Sequence, residues 1–278
     1  MKSIYDSYCY DASRRITKSY STSFYAGVKC LDKKIRNDIH AIYGLVRFAD
    51  EIVDTFHDYD KKELLAEFKK ETYNAIERGI SLNPILNSLQ ATVNKYQIDL
   101  QLIEQFFISM EMDLNPVDYN QEKYDNYILG SAKVVGLMCL KVFVYGDEKE
   151  YQRLKPSAMK LGSAFQKINF LRDLKSDIND LGRVYFPDID TENLTSKDKK
   201  KIEQEIEQEF SEALKGIKEL PKSSRLGVYI SYVYYTSLLK KIKNKSTAEL
   251  MQGRIRVPDR TKALLYAKSY IKNSLNMI

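Results

Sequence analysis

The stretch "NFLRDLKSDIND", residues 169–180, predicts a helix with one unusually acidic face. At about 100° per residue, roughly 80° of arc holds only acids, amides and glycine: Gly162, Gln166, Asn169, Asp173, Asp177 and Asp180. The lysines at 160, 167 and 175 fall on the far side. Like charges four residues apart cost a helix about 0.2–0.5 kcal/mol per pair, so this face needs a counter-charge from elsewhere.

A second stretch, "AIYGLVRFADEIVD" at 41–54, repeats the pattern with an aromatic residue and an arginine added. The opposite side of this helix is apolar, which predicts that it packs against a core. The polar side occupies about 60° of arc and carries Tyr43, Arg47, Asp50 and Asp54.

Two carboxylates some 6 Å apart repel by roughly 3 kcal/mol at an effective dielectric of about 20. Two such faces opposed across a cleft therefore require cations, and Mg²⁺ fits oxygen-only ligands, with phosphate oxygens and water completing its shell. The alternative is that both faces are solvated and that Arg47 pairs with Asp50 at i,i+3. Aspartates spaced by four arise by chance, so spacing alone does not decide between the two interpretations.

Helical periodicity continues through nearly the whole chain. Segment 202–217 repeats apolar residues every three or four positions and predicts a surface helix. Helix starts are predicted at Asn83, which precedes a proline, and at Thr195, and a loop is predicted over 182–193. We expect one all-α domain over residues 1–278 with about ten helices, the longest near 34–56 and 157–180.

Composition excludes several classes of protein. The three cysteines, Cys9, Cys30 and Cys139, are far apart and predict reduced thiols in the cytoplasm rather than a zinc site. With only two histidines in the chain, a histidine-based metal phosphohydrolase is excluded. The net charge of +6 is dispersed and carries no nucleic-acid signature. The longest uncharged apolar run, 134–140, is too short to cross a bilayer, so we expect a soluble protein or one at the membrane periphery.

The chain resembles the squalene/phytoene synthase family, which joins two prenyl diphosphates head to head. "DEIVD" at 50–54 and "NFLRDLKSD" at 169–177 are similar to its two aspartate-rich motifs. "SYSTSFYAG" at 19–27, "YILGSAKVVGLM" at 127–138 and "GRVYFP" at 182–187 resemble further family segments in the same order. The resemblance implies an isoprenoid-synthase-type helical bundle around a central cavity.

The resemblance also implies roles for individual residues. Mg²⁺, or Mn²⁺, would bind Asp50, Asp54, Asn169, Asp173 and Asp177, and the catalytic set would add Tyr43 and Arg47. Diphosphate contacts are expected from Arg47, Arg172, Arg183 and Arg254, although Arg256 and Arg260 compete with Arg254 for that role. The remaining substrate contacts are expected at Ser21, Ser23, Phe24, Tyr127, Gly136, Gln166 and Tyr235.

The expected reaction joins two geranylgeranyl diphosphates through a cyclopropylcarbinyl diphosphate to give 15-cis-phytoene for carotenoid biosynthesis. No NADPH is expected, and peripheral membrane contact would assist release of the apolar product. The alternatives are a dehydrosqualene- or squalene-type synthase using farnesyl diphosphate, a head-to-tail prenyltransferase or terpene cyclase, and a non-catalytic helical adaptor. Ser131 lies where several relatives carry an apolar residue, which leaves the chain length of the substrate open.

Overall fold

The computed structural model describes residues 1–114, 119–187, 194–275 and 278, and these ranges contain helices and no strand. A five-residue π-helical turn, Leu129–Lys133, joins the helix that ends at Ile128 to the helix that begins at Val134 without a break. The helices are α1 Lys2–Tyr20, α2 Thr22–Val28, α3 Lys33–Thr55, α4 Lys61–Arg78, α5 Pro84–Tyr96, α6 Leu100–Leu114, α7 Gln121–Ile128, α8 Val134–Phe143, α9 Glu148–Asn179, α10 Ser196–Glu219, α11 Lys222–Lys243, α12 Thr247–Leu250 and α13 Asp259–Ser274. The all-α class is confirmed, and the expectation of one domain over 1–278 stays a prediction.

Helix starts follow the capping chemistry predicted from the sequence. The Asn83 side chain accepts a hydrogen bond from the Ile85 N–H, with Pro84 in the first turn, and Thr195 caps α10. The prediction for α9 was too short, since the helix begins nine residues before 157. Pro156 is accommodated within α9, where the surrounding packing offsets the lost backbone donor. Of the predicted loop, 182–187 is non-helical and 188–193 lies outside the described residues.

Helix α3 lies at the centre of the largest apolar cluster because one of its sides is almost entirely aliphatic. It packs against α1, α5, α6 and α8. Its buried side includes Ile39, Ile42, Leu45, Ala49 and Ile52. Burial of such side chains stabilises the fold by about 1.5–3 kcal/mol each. This burial fixes the rotation of α3 about its axis, so its polar side faces away from the apolar cluster.

The helical segment Gln121–Phe143 is sufficiently long and apolar to cross a membrane, as judged by length and composition alone. The sequence expectation of no such segment considered only the shorter run at 134–140. Half of the apolar window is buried inside the protein, where the segment packs against α3, α6 and α9. A buried core helix satisfies the same criteria of length and composition.

Helix α9 is held from its far side by α10. Lys167 lies beneath the surface and its Nζ donates to Glu205 and, at 3.1 Å, to Glu209. The lysine that the sequence placed opposite the acidic face is therefore a packing residue between two helices. This contact turns the acidic face of α9 toward the interior.

Candidate active site

A cavity of about 660 Å³ opens between α3 and α9 and extends inward between α2, α8, α10 and α11. The polar sides of α3 and α9 line the same end of it, as the sequence predicts. From α3 come Tyr43, Arg47, Asp50 and Asp54, and from α9 come Gln166, Asn169, Arg172, Asp173 and Asp177. The interpretation of both faces as solvated exterior surfaces is therefore wrong.

Three arginines neutralise this acidic end. Arg183 Nη1 lies 2.7 Å from Asp54 Oδ1, and its Nε lies 3.4 Å from Asp113 Oδ1. Arg172 Nη2 lies 2.5 Å from Asp173 Oδ2, and Arg254 Nε lies 3.0 Å from Asp173 Oδ1. The counter-charge that the sequence required is thus present in the chain as guanidinium groups.

Local structure explains how Arg183 reaches the carboxylates. Gly182 adopts a positive φ of 63°, which glycine tolerates best, and turns the chain back at the end of α9. The Arg183 N–H then donates to the Asp177 carbonyl at 2.8 Å. The side chain is consequently directed across the cavity toward α3 and α6.

Arg254 is positioned by contacts of its neighbours with α9. The Lys175 ammonium donates to the Gln252 carbonyl at 3.2 Å, and the Ile255 N–H lies 3.5 Å from the Arg172 carbonyl. Arg254 lines the cavity, whereas Arg256 and Arg260 are exposed and do not line it. Of the three competing arginines, the structure brings only Arg254 to the carboxylates.

Asp113 of α6 is the main site residue that the sequence reasoning missed. Its side chain is 3% exposed, and it accepts hydrogen bonds from the Tyr127 hydroxyl at 2.9 Å and the Tyr185 hydroxyl at 3.4 Å. Asp113 has no aspartate four residues away, so it does not belong to a periodic acidic face of the kind seen in α3 and α9. Its helical spacing from the buried Met110 could have identified it as a buried acid, because residues three apart lie on the same side of α6.

Burial perturbs three of these carboxyl groups. Desolvation, with repulsion from Asp54, raises the pKa of Asp50 to about 7. Burial likewise raises the pKa of Asp113 to about 7 although Arg183 opposes the rise. Burial and the neighbouring Asp173 raise the pKa of Asp177 to about 7. Such raised pKa values are typical of functional sites, because the buried carboxylates lack a full counter-charge that a bound ligand can supply.

Arg47 has a different partner from the one considered in the sequence. Its Nη2 pairs with Glu51, one turn along α3, rather than with Asp50. The guanidinium carbon lies 4.2 Å from the centre of the Tyr20 ring. Its Nε is buried and has no hydrogen-bond partner among the described residues. An unused buried donor at the cavity wall suits an anionic ligand, because leaving it unpaired is unfavourable.

Aromatic side chains form the wall next to the charged end. Phe24 stacks on Tyr43 with ring centres 4.9 Å apart, and Phe165 stacks on Tyr235 at 3.9 Å. The Tyr235 hydroxyl donates to Asn169 Oδ1 at 3.1 Å, which orients that amide. Aromatic faces stabilise nearby cations, so this wall suits a positively charged intermediate.

The predicted amino-terminal contacts divide between two sides of α2. Ser21 caps the helix by accepting from the Phe24 N–H at 3.2 Å, and both residues line the cavity. Ser23 does not line it, because a helix rotates each successive residue by about 100° and turns this side chain away. Tyr127 and Gly136 both line the cavity, as does Ser131.

The inner end of the cavity is apolar. Its lining comes from α2, α8, α9, α10, α11 and the turns that follow α2 and α10, and the Cys139 thiol is the one ionisable acid or base among the described residues there. It includes Val28, Leu31, Leu140, Phe143, Leu154, Ile217, Leu220 and Val228. The cavity therefore combines one charged end with a long hydrocarbon-compatible interior.

A squalene/phytoene synthase family model matches residues 17–261. The chain belongs to the squalene/phytoene synthase family. Among curated proteins it is 28% identical to phytoene synthase 1 of Arabidopsis thaliana, with 95% of this chain and 68% of the relative covered. It is 30% identical to phytoene synthase of an Oncidium hybrid cultivar, with 84% of this chain and 61% of the relative covered.

Comparison with solved structures confirms the fold that the sequence predicts for this chain. A dehydrosqualene synthase in complex with ligand aligns with a TM-score of 0.84 at 19% identity, covering 96% of this chain and 98% of that one. Squalene synthase HpnC of Alicyclobacillus acidocaldarius aligns with a TM-score of 0.73 at 19% identity, covering 85% and 93%. The predicted isoprenoid-synthase-type helical bundle is thus confirmed.

The charged end of the cavity offers carboxylate and amide oxygens, which are the donor types that hard divalent ions prefer. Within the described ranges, no three acidic, histidine or cysteine side chains converge closely enough to hold a metal ion. Mg²⁺ needs only one or two carboxylates when phosphate oxygens and water fill its remaining positions. The carboxylates and amides of α3 and α9 fit that mode of binding, in which the ion arrives with an anionic ligand.

Proposed function

We propose that this protein joins two prenyl diphosphates head to head, and that the substrates are two molecules of geranylgeranyl diphosphate giving 15-cis-phytoene. The observation that carries the reaction class is the cavity with its carboxylates and arginines at one end and an apolar interior at the other. The C20 substrate is supported by the curated relatives, which are named phytoene synthases.

The arginines would bind the diphosphates. Guanidinium groups match phosphate oxygens in a bidentate manner, and Arg172, Arg183 and Arg254 already lie at the charged end. Arg47 would offer its buried Nε, which lacks a partner within the described chain. These contacts would stabilise charge on the departing pyrophosphate.

Asp50, Asp54, Asp173 and Asp177 would hold Mg²⁺, with Asn169 and Gln166 orienting its water or completing its shell. When bound, Mg²⁺, or Mn²⁺ in its place, supplies neutralising charge to the diphosphates. The fit rests on the oxygen-only donors of two opposed helices.

The aromatic wall would protect the carbocation. The allylic C–O bond of one substrate breaks, and pyrophosphate departs with the electron pair. The double bond of the second substrate attacks the cation, and loss of a proton gives a cyclopropylcarbinyl diphosphate. Tyr43 and Tyr235 would face this charge, while the apolar interior excludes water that would otherwise capture it.

A C15 substrate is the second candidate, because the dehydrosqualene synthase structure aligns over 96% of this chain. Purified protein with Mg²⁺ and either C15 or C20 diphosphate, followed by hexane extraction and mass analysis, separates the two. A C40 hydrocarbon from C20 diphosphate supports phytoene, and a C30 hydrocarbon from C15 diphosphate alone supports the second candidate.

The same assay tests the reaction class. Asp54→Asn is expected to abolish turnover, while Asp58→Asn, an exposed acid beyond the end of α3, leaves it unchanged. A longer diphosphate or a cyclic terpene would contradict head-to-head joining. Activity that is equal with and without Mg²⁺, or no activity with either substrate, would contradict the proposed function and favour the adaptor.

We also propose that the protein acts in the cytoplasm. Its three cysteines are free, as expected for a reducing compartment. Fractionation of cells expressing the full chain, with periplasmic and cytoplasmic marker proteins, tests this location.

A further inference from the structure

The carboxy-terminal helix α13 presents an apolar stripe away from the protein. It packs on α11 through the side that contains the buried Ser269. Roughly 160° around the helix from that residue lies a stripe formed by Leu264, Ala267, Ile271 and Leu275. The three large side chains of the stripe are 53%, 57% and 63% exposed, so they are not covered by the fold.

Basic side chains border this stripe. Lys268 and Lys272 follow one edge, and Arg260 lies near its amino-terminal end. Tyr270, 56% exposed, lies on the other edge. Asp259, in the first turn, is the only acid in the sequence from 259 to 275. The outward surface of α13 is therefore apolar, aromatic and positively charged.

The position of α13 relates this surface to the cavity. Tyr266 of α13 reaches the turn that follows α2, where the Cys30 thiol donates to its hydroxyl at 2.9 Å. The inner sides of α2 and α11 line the apolar end of the cavity, through Gly27 and Val28 on one helix and Gly227 and Val228 on the other. One layer of helix thus separates the α13 surface from the hydrocarbon-compatible interior.

We propose that α13 docks the protein on the surface of an anionic lipid bilayer, with its apolar stripe in the interface. Leucine and isoleucine enter the acyl boundary, Tyr270 takes the headgroup level, and the lysines extend their charges to lipid phosphates. A helix of this kind lies in the plane of the membrane and does not span it. The docked orientation brings the apolar end of the cavity toward the bilayer.

A second copy of this chain is a poorer occupant of the surface. In a twofold dimer through α13 the same patch meets itself, so Lys268 and Lys272 would approach their own copies. The stripe is also only four residues long and is bordered by like charges. An anionic lipid surface is complementary to both parts of the patch.

Sedimentation of the full chain with vesicles tests the proposal without any measurement of turnover. Binding is expected with vesicles containing phosphatidylglycerol and is expected to fall with rising salt and on pure phosphatidylcholine. Each basic residue near an anionic surface strengthens binding by about fivefold. Lys268→Gln with Lys272→Gln should therefore weaken partitioning by about 25-fold, while Lys62→Gln with Lys70→Gln, two exposed lysines on α4, should not.

The apolar part is tested by Leu264→Asn with Ile271→Asn, for which we expect roughly tenfold or greater loss of vesicle binding. The matched control is Ile4→Asn with Leu82→Asn, two exposed apolar residues elsewhere, 72% and 92% exposed. Circular dichroism and melting curves confirm that each variant is folded. Absent binding, or equal binding by the α13 variant and wild type, overturns the proposal. So does a dimer that dissociates in the α13 variant while vesicles bind neither protein.

Discussion

At the scale of single residues, the charge state of Asp50 sets a pH dependence of stability. Its pKa is about 7 in the folded protein against an ordinary value of 3.8. The folded protein holds this proton more tightly than the unfolded chain, so stability falls as pH rises between those two values. The raised pKa means that a charge on Asp50 destabilises the metal-free protein above about pH 7.

Asp50→Asn is therefore expected to raise the melting temperature of the metal-free protein by several degrees at about pH 8, and to change it little near pH 4. Asp173→Asn is the control variant for this measurement. Asp173 forms ion pairs with both Arg172 and Arg254, so its replacement removes the carboxylate from two guanidinium groups. The loss of both ion pairs is expected to lower the melting temperature of Asp173→Asn, in contrast to Asp50→Asn. Equal pH profiles for wild type and Asp50→Asn would contradict the assignment.

Asp113 offers a test of how the site is organised. Asp113→Asn keeps an oxygen for the Tyr127 hydroxyl but removes the charge that holds Arg183. We expect a fall in kcat/KM of roughly 10- to 100-fold with a cooperative melting transition retained. Asp180→Asn, on the acidic face that the sequence predicts for α9 but not on the cavity, should leave kcat/KM unchanged. Unchanged kinetics in Asp113→Asn would mean that Asp54 and the main-chain carbonyl of residue 113 position Arg183 without the Asp113 charge.

At the scale of elements, the π-helical turn brings α6 and the α7–α8 segment very close together. A methyl group on Gly130 would lie 2.4 Å from the Gln105 carbonyl oxygen and 2.6 Å from Ser109 Cβ. On Gly136 it would meet only the Ala158 carbonyl oxygen, at 3.3 Å. Gly130→Ala should cost about 3 kcal/mol or more of stability, and Gly136→Ala much less. Denaturant melting of both variants measures the difference, and equal losses would refute the close contact.

Element boundaries show where sequence reasoning succeeded and failed. Asn83 and Thr195 were found because capping depends on neighbouring residues alone. Helix α9 was predicted too short because proline usually ends a helix, and only packing with α10 and α8 reveals that Pro156 is tolerated. Asp113 was missed for a related reason, since its role depends on Tyr127 and Arg183, which are distant in sequence. The two aspartate faces were visible because each is periodic within one helix.

At the scale of the whole molecule, the ion pairs predict how metal and anion cooperate. The arginines already neutralise much of the acidic end, so Mg²⁺ alone should raise the melting temperature little. Pyrophosphate draws the arginines from the carboxylates and leaves these free for metal, so the two ligands together should raise it by several degrees. Differential scanning fluorimetry with each ligand and with both measures the coupling. A full shift with Mg²⁺ alone would show that the carboxylates bind metal without release of the arginines.

The confinement of charge to one end of the cavity dictates how two chains must be accommodated. A diphosphate is tolerated only beside the arginines, so both substrates have to enter with their tails leading and lie side by side in the same direction. Joining them at their first carbons then gives a U-shaped hydrocarbon, with the new bond near the charged end of the cavity and both chains extending into the apolar interior. A condensation that required one chain to be reversed would place its diphosphate in the apolar interior, where the described residues provide no charged side chain to bind it.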